Sequence, residues 1–197
     1  MPPDMSKEFL GRRAVVTGGS QGIGAAVARR LLDGGARVVV TAPHRVPETP
    51  GDAILVEGDP ASLEGAGTTA EEALGVLGGC DILVNNAGAM PDEAWQDSID
   101  GDFLSAVRMT AALMPALRRS GHAAIVNVSA HCRVAEAALN TYTRSLAREL
   151  APQGIRVTIV TQGEPSEVAE LVAMLASDRG RWMTGADYHV DGGSRAL

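Results

Sequence analysis

A chain of 197 residues, 45% hydrophobic and 21% charged, has ordinary globular composition and suffices for one domain around a single core. Its net charge of −7 and pI near 5.1 give no basic footprint for nucleic acid, and no apolar run reaches the ~20 residues of a membrane span. Met1-Pro2-Pro3-Asp4 lacks the basic-then-apolar order of a secretion signal, and Cys80 and Cys132 show no metal-ligand spacing, so a cytoplasmic, metal-free protein is expected.

Residues 1–10 read as a lead into the first strand, Arg13–Thr17. That strand runs into Gly18-Gly19-Ser20-Gln21-Gly22-Ile23-Gly24 and then a helix whose Ile23, Val27 and Leu31 form one apolar stripe. Gly34-Gly35 predicts a left-handed stop. A second strand at Arg37–Thr41 is followed by Ala42 to Asp52, where Pro43, Pro47 and Pro50 demand a loop. Then come a strand at Ala53–Glu57, a helix at Ser62–Leu77, a strand at Asp81–Val84 and a long helix at Asp92–Ser120, which Pro115 is expected to kink or break. Strands at Ala123–Val128, Ile155–Val160 and Tyr188–Val190 alternate with helices at Ala135–Leu150 and Pro165–Ser177. Such alternation predicts a parallel sheet covered by helices, with a core of Val, Ile, Leu, Met and Ala because aromatics are only 3%. There is no internal repeat and no low-complexity tail.

A strand, a glycine turn and a helix start make a pyrophosphate cradle, since glycines let the backbone approach and the helix offers unpaired N–H groups. Gly18, Gly22 and Gly24 have that placement here; the competing explanation is a glycine turn packed tightly on a neighbour. Val15 to Gly24, together with Asn85-Asn86-Ala87-Gly88 and Thr184-Gly185-Ala186-Asp187-Tyr188-His189-Val190-Asp191-Gly192-Gly193, resembles the short-chain dehydrogenase/reductase family from one end of the chain to the other. The resemblance implies an α/β fold, a Rossmann-like doubly wound parallel sheet of about seven strands with helices on both faces. It implies an NAD(P) cofactor lined by Gly18, Ser20, Gln21, Gly22, Ile23 and Gly24, with Asp59 at the adenine and Asn85, Ala87 and Gly88 beside the adenosine ribose. At the end of the second strand Ala42 stands where a carboxylate would select NAD, and His44-Arg45 follow, which leans to NADP through Arg45. A solvated loop charge is the other explanation of that pair.

In that family a serine orients the carbonyl, a tyrosine donates a proton, a lysine holds the ribose and lowers the tyrosine, and an asparagine supports a water chain. This chain has one lysine, Lys7, ahead of the first strand. Matched outward from the resembling segments, Ala130 stands at the serine, Cys132 at the tyrosine, Glu136 at the lysine and Asp102 at the asparagine. Ala130 lies only a few residues before the next helix, so Cys132 and Glu136 also read as edges of a deletion. Ser129 faces opposite to its neighbour. Tyr142 lies about 15 Å along a helix and about 80° around it from Cys132, and Tyr188 belongs to the closing strand. The candidates left for catalysis are His131 as an acid oriented by Asp102, and Cys132 as a nucleophile, against a merely solvated loop histidine. Gln162 replaces the family's proline, and the substrate lid expected after residue 163 is missing.

Three functions remain open. One is a trimmed family member that binds NAD(P) without ketone/alcohol activity, as a binding or partner subunit or as a drifting relic. Another is an NAD(P)H-dependent oxidoreductase of a small molecule using His131 or water. The third is a non-redox acid/base enzyme using His131, Asp102 or Glu136. The long helices resemble those through which family members pair, so a homo-oligomer is expected, with Ala106, Ala111, Ala112, Ala137, Ala138 and Ala147 allowing close contact unless they pack on the sheet.

Overall fold

The computed structural model describes residues 5–86, 98–129, 133–161 and 163–193. Seven parallel strands form one sheet in the order β3-β2-β1-β4-β5-β6-β7: β1 Arg13–Thr17, β2 Arg37–Ala42, β3 Ile54–Glu57, β4 Ile82–Asn85, β5 Ala124–Ser129, β6 Arg156–Thr161 and β7 Asp187–His189. The helices are α1 Gly22–Asp33, α2 Leu63–Leu77, α3 Ser105–Ser120, α4 Arg133–Leu150 and α5 Pro165–Ala176. Strand residues alternate between two cores. Val16, Val40, Val84 and Val126 meet Val27 and Leu31 of α1 and Val168 and Val172 of α5. Val15, Val39, Leu83 and Ile125 meet Ala70 of α2, Met109 and Leu113 of α3, and Leu146 and Leu150 of α4. Burial on both faces explains the near-continuous apolar strands.

β2 ends one residue later than the sequence predicts, and β4, β5 and β6 both start and end one residue later, because register pairs such as Asn85↔Asn127 and Ser129↔Thr161 continue the ladder into polar residues. β7 instead shifts one residue back, with Asp187 opposite Ile159. Pro115 does not break its helix. α3 runs unbroken through it, with Ala111 and Pro115 both exposed, so the carbonyl that loses its partner faces water rather than core. The irregular stretch is a π-helical turn, Ile99–Leu104, ahead of α3. At the end of α1 the left-handed residue is Gly35, φ 89°, while Gly34 keeps φ −82°.

The N-terminal lead is docked. Phe9 is fully buried, its N–H donates to the Gly34 carbonyl at 2.7 Å, and Glu8 pairs with Arg30 at 2.6 Å and Arg179 at 2.7 Å. No helix among the described residues is long and apolar enough to cross a membrane.

Strand order reverses between β1 and β4, so the connections leaving their carboxyl ends part in opposite directions and leave a crevice.

Candidate functional site

The glycine turn fills the β1 side of the crevice. Gly18 and Gly22 sit at φ 60° and 54°, where a side chain would be strained. A Cβ on Gly24 would lie 2.2 Å from the Gly18 carbonyl oxygen and 2.5 Å from Asn86 Nδ2, so only glycine lets α1 approach β1 this closely. A Cβ on Gly22 would meet no atom within 4 Å among the described residues. The N-cap residue of α1, Gln21, makes no side-chain cap, which leaves first-turn N–H groups for an anion. Ser20 is buried, Gln21 exposed, and Ile23 packs against the α1 core.

Gly19, which the sequence did not single out, is equally constrained. Its N–H donates to the Thr41 carbonyl at 3.2 Å, and a Cβ would stand 2.6 Å from Val40 Cγ1. The Thr41 hydroxyl beside it is buried with no hydrogen-bond partner among the described residues.

Asn86 closes the crevice from β4. Its N–H donates to Thr17 Oγ1 at 2.9 Å and its Nδ2 to the Gly18 carbonyl at 3.2 Å, tying β4 to the turn. Asn85 points the other way. Its Nδ2 donates to Thr110 Oγ1 at 3.1 Å and Asn127 Oδ1 at 2.9 Å, and Asn127 Nδ2 continues to Thr143 Oγ1 at 2.8 Å. The Asn85 side chain thus joins β4, β5, α3 and α4 inside the core, while its neighbour Asn86 faces the glycine turn. Alternation along a strand would have revealed the split, had the faces been known. Ala87 and Gly88 lie outside the described residues.

Beyond β3, Asp59 is exposed and its Oδ1 accepts the Ala61 N–H at 2.9 Å. Beyond β2, Ala42 is buried, and Arg45 is exposed with Nη2 donating to the Ala53 carbonyl at 3.3 Å.

The acid–base candidates are less gathered. Ala130, His131, Cys132 and Gln162 lie outside the described residues. Asp102 is half-buried on the π turn and Glu136 half-buried in the first turn of α4, both engaged with other groups. Lys7 is exposed beside the C-terminal end of α1, at the opposite edge of the sheet. Tyr142 packs edge-on to Phe103, ring centroids 6.0 Å apart, and burial pushes its phenol up despite a hydrogen bond with Thr110. Tyr188 packs on the core shared by α1 and α5. One further titratable pair was missed: His189 Nε2 lies 3.4 Å from Asp187 Oδ2, while Thr161 donates to Asp187 Oδ1 at 3.1 Å.

A cavity of about 380 Å³ at the amino edge of the sheet is lined by His122, Arg156, Trp182 and Thr184 among others. Arg156 there donates to the carbonyls of Leu175, Ala176, Ser177 and Gly180, closing the C-terminal end of α5.

The family model described as short chain dehydrogenase matches residues 12–168, and one described as enoyl-(acyl carrier protein) reductase matches 159–195. The 3-oxoacyl-(acyl-carrier-protein) reductase FabG of Escherichia coli is 32% identical, over 94% of this chain and 98% of its own. An uncharacterized oxidoreductase of Methylorubrum extorquens is 31% identical over 97% and 100%, and the 3-alpha-(or 20-beta)-hydroxysteroid dehydrogenase of Mycobacterium bovis 30% over 98% and 92%. The alignment with the E. coli reductase runs over 241 positions, more than the 197 residues of this chain, so the relative carries segments with no counterpart here.

Proposed function

The chain belongs to the short-chain dehydrogenase/reductase family of oxidoreductases, and from that premise we propose that it holds a nicotinamide dinucleotide but lacks the family's ketone/alcohol chemistry. The observation that carries this is a contrast: an intact glycine cradle in a chain whose one lysine lies at the far edge of the sheet and whose two tyrosines pack in cores.

The cradle suits the cofactor. The uncapped α1 N-terminus and the open side of Gly22 fit a pyrophosphate, and Gly18, Ser20, Gln21, Ile23 and Gly24 surround that position. The Asp59 loop bounds the adenosine end, and Arg45, with no acid at Ala42, favours a 2′-phosphate and hence NADP. When bound, the nicotinamide supplies a hydride. The protein must then supply a proton to a developing alkoxide, and a phenol does so near neutrality only beside a cation that lowers it. Tyr142 has the opposite environment, raised by burial. The residues standing at the family's four catalytic positions, Ala130, Cys132, Glu136 and Asp102, include neither phenol nor ammonium. The extra length of the relatives fits a deletion there and at the lid after residue 163. Pairing of two copies through α3 and α4 belongs to the same reading.

Calorimetric titration with NADPH and NADH tests the cradle, and ketone-dependent NADPH oxidation tests the reaction centre. Binding is expected, NADPH the tighter, with turnover at least about 10²–10⁴-fold below a reductase that keeps its general acid. His131→Ala should leave the residual rate unchanged. Ketone turnover at the family's ordinary rate would overturn the proposal, as would absence of binding by either nucleotide at millimolar concentration.

A further inference from the structure

Arg108 does something that neither a core residue nor a solvated charge would do. It lies on α3, one turn beyond the π-helical stretch, with only 22% of its side chain exposed. Its Nη2 stands 3.5 Å from Asp100 Oδ1 on the π turn, and its Nη1 donates to the carbonyl of Ala61, 47 residues away in sequence. The N–H of that same Ala61 is held by the carboxylate of Asp59 at 2.9 Å. Arg108 and Asp59 therefore hold the loop between β3 and α2 at one residue, the first at its carbonyl and the second at its N–H.

The rest of that loop has little freedom. The Gly58 N–H donates to the Ala42 carbonyl at 3.1 Å, tying the loop to the end of β2. Ser62 caps α2 through Gly65 N–H at 3.0 Å, and a Cβ on Gly65 would lie 2.1 Å from the Asp59 carbonyl oxygen. Asp59 and Arg45 thus stand on two stretches joined at Ala42, and among the described residues the Arg108 side chain links this loop to the π turn.

We infer that Arg108 is a positioning residue for the adenosine end of the cofactor groove, setting the Asp59 loop against the π turn without touching the ligand. This rests on the proposed dinucleotide binding. Its chemistry is specific: a planar guanidinium serves a carboxylate and a carbonyl from two nitrogens at once, which an ammonium at the same place would do poorly.

The test is calorimetric affinity for NADPH and for adenosine 2′,5′-bisphosphate, its adenosine half, in wild type, Arg108→Ala, Asp59→Asn and the double variant. Arg108→Ala is expected to weaken both ligands by the same factor, about tenfold for one lost set of hydrogen bonds. In the Asp59→Asn background the same change should have little further effect, a non-additivity that general loosening would not produce. Asp100→Asn, which removes the charge facing the guanidinium at a side chain that is 58% exposed, should move both affinities the same way by a smaller factor, and it stands in if Arg108→Ala does not fold. Unchanged affinities in Arg108→Ala and Asp100→Asn, or full additivity with Asp59→Asn, would overturn the inference. Wild-type protein that binds neither ligand would instead overturn the cofactor reading.

Discussion

Asp81 receives Arg13 on both carboxylate oxygens: Nε donates to Oδ2 and Nη2 to Oδ1, each at 2.9 Å. The Arg13 backbone N–H adds a 2.9 Å bond to Oδ2, and the Ser120 hydroxyl a 2.6 Å bond to Oδ1. One carboxylate thus fastens the starts of β1 and β4 and the end of α3 at the edge away from the crevice. These donors outweigh burial and hold the Asp81 carboxyl down at about 2.

Stability should therefore depend on acid in a definite way. An unfolded aspartate titrates at about pH 4, so the Asp81 contribution is complete above that value and is lost as pH falls through about 2. The depression corresponds to about 2 kcal/mol. Denaturant unfolding should show Asp81→Asn less stable than wild type by about 2–3 kcal/mol at pH 6, with the gap narrowing at pH 2.5. A gap of the same size at both pH values would mean the clamp is not ionic.

Two glycines of the cradle should fail for different reasons. Gly24→Ala drives a methyl into the Gly18 carbonyl and should cost about 3 kcal/mol and abolish NADPH binding. Gly22→Ala meets no atom within 4 Å among the described residues, so its stability loss is backbone strain of about 1–2 kcal/mol. Thermal unfolding of the two variants ranks them; equal losses would contradict the packing of α1 on β1.

Tyr142→Phe should leave NADPH affinity and any residual NADPH oxidation unchanged. The phenol lies against Phe103 and Thr110 and is raised by burial, so its loss should cost only about 1 kcal/mol of stability. A tenfold fall in rate would make it a proton donor after all.

Cys80 should be chemically silent in the native state. Its thiol is fully buried, pushed up to about 12 by burial, and donates weakly to the Ile82 carbonyl at 3.4 Å. In a Cys132→Ser background, thiol reagent should label Cys80 only as fast as the chain unfolds. Rapid labelling without denaturant would show the start of β4 to be open.

What the sequence determined by itself was the local grammar. Arg13–Thr17, the glycine turn and the stripe of Ile23, Val27 and Leu31 form one strand–turn–helix whichever partners surround them, because apolar period and positive-φ glycine are properties of neighbouring residues. The single lysine and the absence of a Tyr-x-x-x-Lys pair are likewise plain in the chain. Tertiary structure alone decided which member of each adjacent pair faces where: Asn86 to the crevice and Asn85 to the core, Asp187 and His189 on one side of an edge strand. It alone brought Arg108 to a carbonyl 47 residues away. A strand's two faces are equivalent until register and strand order assign helices to them, and that assignment depends on contacts between segments distant in sequence.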